Sequence, residues 1–529
     1  MHGERKGDVP GRAGPRLVAP HQSRPSCLSG SLPELVVSTG HQNRAEQLRQ
    51  REPDPTLKGV PMPGNRKTGD QKTGDLTAGD RKVHLAAHFP GVNNTTVWAD
   101  PTSGSHIDFS SFDHLARTAE EGLFDFLFLA EGLRLREHKG KIFDLDVVGR
   151  PETATVLAAV AAVTRHLGVV GTFNSTFNEP YDLARTLATL DRVSGGRAAW
   201  NVVTTHNAFT GENFRRGGYL DGADRYRRAE EFVTLARRLW ESGGEPVDWT
   251  PGAGDSGTPV TSPVHGTFPV PRTPQVDPVI FQAGDSPEGR DFAARNAEVI
   301  FTRHGTPEEG RAFRRDLDSR LARFGRTPDS LRIFPAVTVV LGDTTAEAQE
   351  RAREISLQQV SGPGAIAFLE QVWGRDLTSY DPDGPLPDID PVAENVDITR
   401  GRVRHHRDPA AVAGQWRELA AAKNLSIREL VIEVSARQSF VGTAVDVAEE
   451  LIRRTRDRVA DGFILVPHLT PHGIDDVVRK VVPVLQDRGA YRTSYEGETL
   501  RENLGLPPLR PLTGQDATPA TAHDQEIPA

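Results

Sequence analysis

The sequence predicts an α/β chain folded as a closed (β/α)8 barrel, with long insertions between strands and a disordered N-terminal tail. Three observations predict it. Eight short apolar runs, rich in branched and aromatic residues, recur along the chain; helical periods separate them; and 529 residues leave room for one large domain. Strands that read as continuous apolar runs belong to a parallel sheet buried on both faces, and eight β–α steps in one chain are enough to close such a sheet. An open doubly wound sheet has the same alternation and stands as the alternative, because no single segment encodes closure.

Residues 1–80 are rich in Pro, Gly, Arg and Ser and contain a near-repeat, Lys67-Thr68-Gly69-Asp70, Lys72-Thr73-Gly74-Asp75 and Thr77-Ala78-Gly79-Asp80. Their apolar content is too low to offset ordering entropy, so they are expected to be a disordered tail, either native or an over-extended start. The barrel is expected over 81–510, and 511–529, rich in Ala, Thr, Pro and Asp, as a second disordered tail. In order, the predicted strands are 83–89, 124–130, 167–173, 199–204, 279–283, 299–302, 333–341 and 463–467. Helical periods fall at 112–121, 153–165, 183–192, 225–240, 308–323 and 474–486. Two excursions, 242–278 and about 361–440, interrupt the alternation. Long loops beside a barrel's C-terminal face are candidate covers for a ligand.

The net charge of −9 argues against nucleic acid as the main partner. Cys27 is the single cysteine, which excludes an internal disulfide and a cysteine-based metal site. No run of about 18 apolar residues suggests a membrane span, and the N-terminus lacks a signal-type apolar core. A cytoplasmic protein is the expectation.

The most informative stretch runs from Val279 to Phe292: a buried strand, then Gly284-Asp285-Ser286, then a helix opened by Pro287. Ser286 stands where an N-cap belongs, and Pro287 stands where a missing N–H costs nothing. Such a mouth offers free amides and the positive end of the helix dipole to a phosphate. A serine nucleophile is rejected here. Position 288 is Glu rather than the glycine of G-x-S-x-G, and Pro287 lacks the N–H that an oxyanion hole would need. Gly362-Pro363-Gly364-Ala365-Ile366-Ala367 spaces its small residues as a dinucleotide fingerprint does. It follows the polar segment 356–361 instead of a strand, and it reads as a glycine-rich loop. His84 and His88 on a strand, and His468 and His472 on a Pro-containing loop, do not have metal-pair spacing, so no metal is predicted. Polar residues gather after the predicted strands: His88, Glu131, Thr172, Asn174 and 204–207.

With these residues in view, the chain resembles the bacterial luciferase-like superfamily. The nearer likeness is to the flavin-dependent family of nitrilotriacetate, dibenzothiophene-sulfone and pristinamycin synthase monooxygenases. Its markers extend from about Val83 to Leu506: 84–91 (HLAAHFPG), 124–131 (FDFLFLAE), 200–204 (WNVVT), 282–286 (QAGDS), then Arg488-Gly489, Arg492-Thr493, Tyr495-Glu496-Gly497 and Thr499-Leu500-Arg501. The resemblance implies a barrel that binds reduced FMN, supplied by a separate NAD(P)H:flavin reductase. With O2 it would oxygenate a small organic substrate, in a protein expected to be a homo-oligomer. By position, Glu131, Thr172, Tyr226 and Ser286 fall at flavin-contacting places, with Ser286, Gly284 and Asp285 at the phosphate. Two departures stand out. Glu131 replaces the family's usual Asp, and Gly222 replaces a histidine common four residues before Tyr226. His206, on the fourth strand's exit loop, is available in its place, and His206 and His88 are the candidate catalytic residues. The alternatives are a deazaflavin-dependent hydride-transfer enzyme of the same superfamily, and a flavin-binding barrel without catalysis.

Overall fold

A computed structural model describes residues 81–509, apart from 90–95, 144–148, 206–207, 215–221, 252–262, 285, 305, 393–398, 401–407 and 436–438. Eight parallel strands close into a ring: β1 (His84–His88), β2 (Phe126–Leu129), β3 (Gly168–Asn174), β4 (Ala198–Val203), β5 (Val279–Gln282), β6 (Val299–Thr302), β7 (Arg332–Leu341) and β8 (Gly462–Leu465). Each pairs with the next, and β8 returns to β1 with His84 opposite Gly462 and Ala87 opposite Leu465. The open-sheet alternative is thereby excluded.

The pleat sorts side chains to two faces. Ala86, Phe126, Phe128, Val170, Ala199, Phe281, Phe301, Phe334 and Ile464 fill the interior, where Phe126 meets Phe281 edge-on at 5.1 Å. Leu500, Leu504 and Leu506 of the C-terminal segment join them, plugging one end. The alternate residues face a shell of helices: α1 (Phe109–Glu121), α2 (Thr153–Val163), α3 (Pro180–Ser194), α4 (Gly222–Glu241), α5 (Pro287–Asn296) and α6 (Pro307–Arg323) follow β1 to β6. Their starts are legible as caps. Thr306 and Glu309 form a reciprocal capping box ahead of Pro307, and Ser286 accepts from the Gly289 amide ahead of Pro287.

Three expectations need correction. The segment 362–367 is no loop: it opens helix α8 (Gly362–Trp373), capped by Ser361, which accepts from the Gly364 amide at 3.1 Å. The serine cap accepting from the amide three residues on is the same device as at Ser286, with proline at the second helical position here and at the first there, and the apolar residues 365–369 then pack a core. Second, 242–278 is not simply a cover. Its hairpin, Pro246–Trp249 against Val264–Thr267, sends Val247 and Trp249 into the helical shell, with Phe268 beside them. Third, the helix expected at 474–486 is broken into a 3-10 turn, a π segment (Val477–Val481) and a short α-helix, Val482–Asp487. Pro483 has no N–H to continue the α ladder, so the turn before it widens.

Helix α7 (Thr345–Gln359) follows β7, and the second excursion holds α8, α9 (Pro409–Lys423) and α10 (Ile427–Ser435), ending in an extra strand, Ser439–Gly442, that pairs with the end of β7. Helices α8 to α10 share a core around Trp373, Trp416 and Leu430. They dock on the loop after β2, where buried Glu370 accepts from His138 Nε2 at 2.7 Å and Lys139 Nζ at 2.8 Å.

Candidate functional site

The C-terminal ends of β4 and β5 and the starts of α4 and α5 frame a cavity of about 570 Å3. Val202, Val203 and Thr204, Arg225 and Tyr226, and Gln282, Ala283, Gly284, Ser286 and Glu288 line it. Sequence reasoning placed Gly284, Ser286 and Tyr226 in one site, and they meet here. The approach is close. A Cβ on Gly284 would lie 3.0 Å from Gly289 Cα, and one on Gly289 would lie 3.0 Å from the Tyr226 hydroxyl. Strand exit, helix mouth and phenol therefore touch at backbone level, which leaves room for a ligand group only above them.

The helix mouth already attracts negative charge. The Glu288 carboxylate accepts from its own amide and from the Ser286 hydroxyl, and these bonds hold it below the usual carboxylate range. An acid turned back onto the first turn is the charge that a helix N-terminus favours. Arg225 adds a cation to the same wall.

Deeper in the mouth, the interior face of the strands turns polar. Thr172 lies two residues beyond Val170 and Asn201 two beyond Ala199, so both face the barrel axis. They sit opposite each other across β3 and β4. Asn201 Nδ2 donates to Thr172 Oγ1 at 2.9 Å, which leaves the threonine O–H free to donate. Asn201 Oδ1 is buried and has no hydrogen-bond partner among the described residues. Buried amide oxygens are rarely left so, and an acceptor aimed at the axis fits a ligand donor. Asn201 was in a noted motif but was not singled out; the signal was its two-residue offset from a core alanine. His88 closes the floor, buried at the end of β1 with its ring 5.3 Å from Phe128.

Glu131 follows β2. Burial, reinforced by the Glu152 carboxylate, pushes it up to about 8, although the Asn174 amide donates to it. It is therefore mainly neutral at pH 7 and able to donate a hydrogen bond. The folded state opposes its ionisation, whereas the unfolded chain ionises near 4.5. Its contribution thus weakens the fold as pH rises from 4.5 to about 8. Glu131→Gln should flatten that fall, so that its stability relative to wild type rises between pH 5 and pH 8. Denaturant titrations at pH 5 and 8 check this, and an unchanged pH dependence would mean that the carboxyl is well solvated. Asp277, also pushed up to about 8 by burial, is common to both proteins and cancels in the difference.

Other polar residues at strand ends serve the loops. Asn174 Oδ1 accepts from the amides of Thr176 and Phe177, fixing the turn after β3. His304, after β6, is held neutral by burial with a pKa of about 4 and packs on Phe313. His206 and Asp285 lie outside the described residues. One cluster escaped the search for local spacings. His114 on α1 meets His472 and Asp475 after β8, partners 358 and 361 residues away.

Among the described residues, no helix is long and apolar enough to cross a membrane. The sequence pattern of the luciferase-like monooxygenases matches residues 89–462. The chain is 36% identical over 433 residues to nitrilotriacetate monooxygenase component A of Aminobacter aminovorans, covering 77% of this chain and 93% of that protein. It is 37% identical over 447 residues to dibenzothiophene-sulfone monooxygenase of Rhodococcus erythropolis strain XP, covering 80% and 97%. Among solved structures, a riboflavin lyase with modified FMN and riboflavin superposes with a TM-score of 0.63 at 27% identity, covering 81% of this chain and 98% of that one.

Proposed function

This chain belongs to the luciferase-like monooxygenase family, and we propose that it binds reduced FMN from a separate NAD(P)H:flavin reductase and uses it with O2 to oxygenate a small organic substrate. The observation that carries this reading is the helix mouth at Gly284, Ser286 and Gly289, whose backbone contact leaves an anion-binding surface at the edge of the cavity. Its residues suit the terminal phosphate of FMN: the Ser286 hydroxyl, the first-turn amides of α5 and the Arg225 guanidinium. When bound, the reduced flavin supplies the electrons that activate O2. Similarity to a protein named as one component of a monooxygenase supports a separate reductase.

The chain's own residues would do the rest. Thr172 would donate its free O–H, and Asn201 Oδ1 would accept, at the polar edge of the flavin ring. Neutral Glu131 would offer a proton on a hydrogen bond without adding charge to the ring's environment. The phenylalanines beneath, Phe128 and Phe301 at 4.6 Å, would exclude water from the ring's inner face. His88 is the described candidate for a proton-handling group, because it is buried beside that floor.

Glu288 at the rim repels the long, multiply anionic tail of a deazaflavin more than a single phosphate, which favours FMN over the hydride-transfer alternative. Anaerobic titration with reduced FMN and with reduced deazaflavin separates them. Tighter binding of reduced FMN, with a shift in the protein's handling of O2 on aeration, is expected. Tighter binding of the deazaflavin, with no effect on O2, would overturn the proposal.

A further inference from the structure

We propose that His114, His472 and Asp475 form a binding site for one Zn2+ ion on the outer rim of the barrel, separate from the flavin cavity. His114 stands on α1, and His472 and Asp475 flank the turn that follows β8. Their ligand atoms converge. His114 Nε2 lies 3.0 Å from Asp475 Oδ1 and 3.0 Å from His472 Nδ1, and His472 Nδ1 lies 3.4 Å from Asp475 Oδ2. Around a tetrahedral zinc with bonds of about 2.0–2.1 Å, neighbouring ligand atoms are about 3.3–3.4 Å apart. The cluster is already near that spacing.

Protons alone satisfy this arrangement poorly. His114 Nε2 has an imidazole nitrogen, both oxygens of a carboxylate and, at 3.4 Å, the Thr118 hydroxyl around it. One N–H can serve one of them. A cation at the centre would use the lone pairs of both rings and of the carboxylate together. The donor set of two imidazoles and one carboxylate suits zinc, and His472, half exposed, leaves a fourth position to water. Arg479 pairs with Asp475 Oδ2 at 3.0 Å. That leaves Oδ1, the oxygen nearer His114, for the metal, and the 68% exposed arginine side chain can turn its charge to solvent.

The ion would tie α1 to the segment after β8, across the seam where the last strand meets the first. That segment already holds the loop after β1, through Val97 N to His468 O at 2.7 Å and Gly104 N to Thr470 O at 2.6 Å. A metal there would make closure of the barrel zinc-dependent in stability.

The test uses the full chain, stripped with a chelator and titrated calorimetrically with Zn2+. One ion is expected to bind and raise the melting temperature, with Co2+ giving the intense visible absorption of tetrahedral coordination. His472→Ala, at an exposed position, and His114→Ala should each weaken Zn2+ binding at least about tenfold and remove the rise in melting temperature. FMN affinity should stay at the wild-type value and report an intact fold. Equal Zn2+ binding by wild type and by both the His472→Ala and the His114→Ala variant, or a Co2+ spectrum of the octahedral aqua type, would overturn the site.

Discussion

Ser286→Ala should weaken FMN binding by roughly ten- to a hundredfold while leaving riboflavin binding almost unchanged. The range follows from a charge-assisted hydrogen bond of about 1.5–3 kcal/mol. The serine does two things at the mouth of α5. Its oxygen accepts from the Gly289 amide at 3.1 Å, and its proton points to the Glu288 carboxylate, where a phosphate would compete. Loss of the cap costs about 1 kcal/mol of helix stability, a loss common to both ligands. The difference between FMN and riboflavin therefore isolates the phosphate contact. Glu288→Gln should act in the opposite direction and tighten FMN a few-fold, because it removes the like charge from the rim. Flavin fluorescence titrations read both variants. Equal losses for FMN and riboflavin in Ser286→Ala would reduce the serine to a cap and remove the phosphate from this mouth.

Arg492→Met should destabilise the fold by about 3–5 kcal/mol, because it strands a buried carboxylate. Asp125 is fully buried and accepts from Arg492, from His84 Nδ1 at 3.0 Å and from the Leu85 amide at 3.1 Å. Burial opposes its charge, but Arg492 and His84 outweigh burial and hold it below the usual range. The stabilisation is therefore present above the unfolded value near 3.8 and is lost as pH falls through the lower, folded value. In the Arg492→Met background, Asp125→Asn should recover part of the loss, since it removes the stranded charge. Urea unfolding at pH 7 checks both variants; a loss under about 1 kcal/mol, or no rescue, would mean that water reaches the pair. The same neighbourhood explains the C-terminal sequence markers. Tyr491 donates to the carbonyls of Gly122 and Leu123, Tyr495 to that of Phe124, and Leu500 and Leu504 plug the barrel. These residues close the end that lies across the strands from the cavity, and they mark the fold rather than the chemistry.

The strands were legible because each carries its own signal. A strand buried on both faces is a local apolar run, so Val299–Thr302 was read to the residue and the others to within a few. Helices were legible where a cap stands in sequence, as at Ser286, or where an apolar period runs, as at 308–323. The errors came where two local signals compete. Around Gly362 the glycines suggest a loop, and Ser361 with Pro363 starts a helix instead. At Pro483 the apolar period continues while the hydrogen-bond ladder cannot.

By itself the sequence determined the eight β–α steps, the serine-capped helix mouth after Gly284, and a family resemblance carried by short motifs. All of these are local, written within a dozen residues. Tertiary structure alone decided closure of the ring, because β8 meets β1 from the far end of the barrel sequence, with Gly462 opposite His84. It also decided which polar groups share a site. Thr172 and Asn201 face each other only through strand register, and Tyr226 reaches Gly289 only because α4 and α5 pack side by side. Glu131 has a raised pKa because folding buries it, with the Glu152 carboxylate adding to the effect, and His114 finds Asp475 from 361 residues away. Backbone propensity and burial pattern act between neighbours in sequence, whereas desolvation, charge coupling and ligand geometry act between neighbours in space.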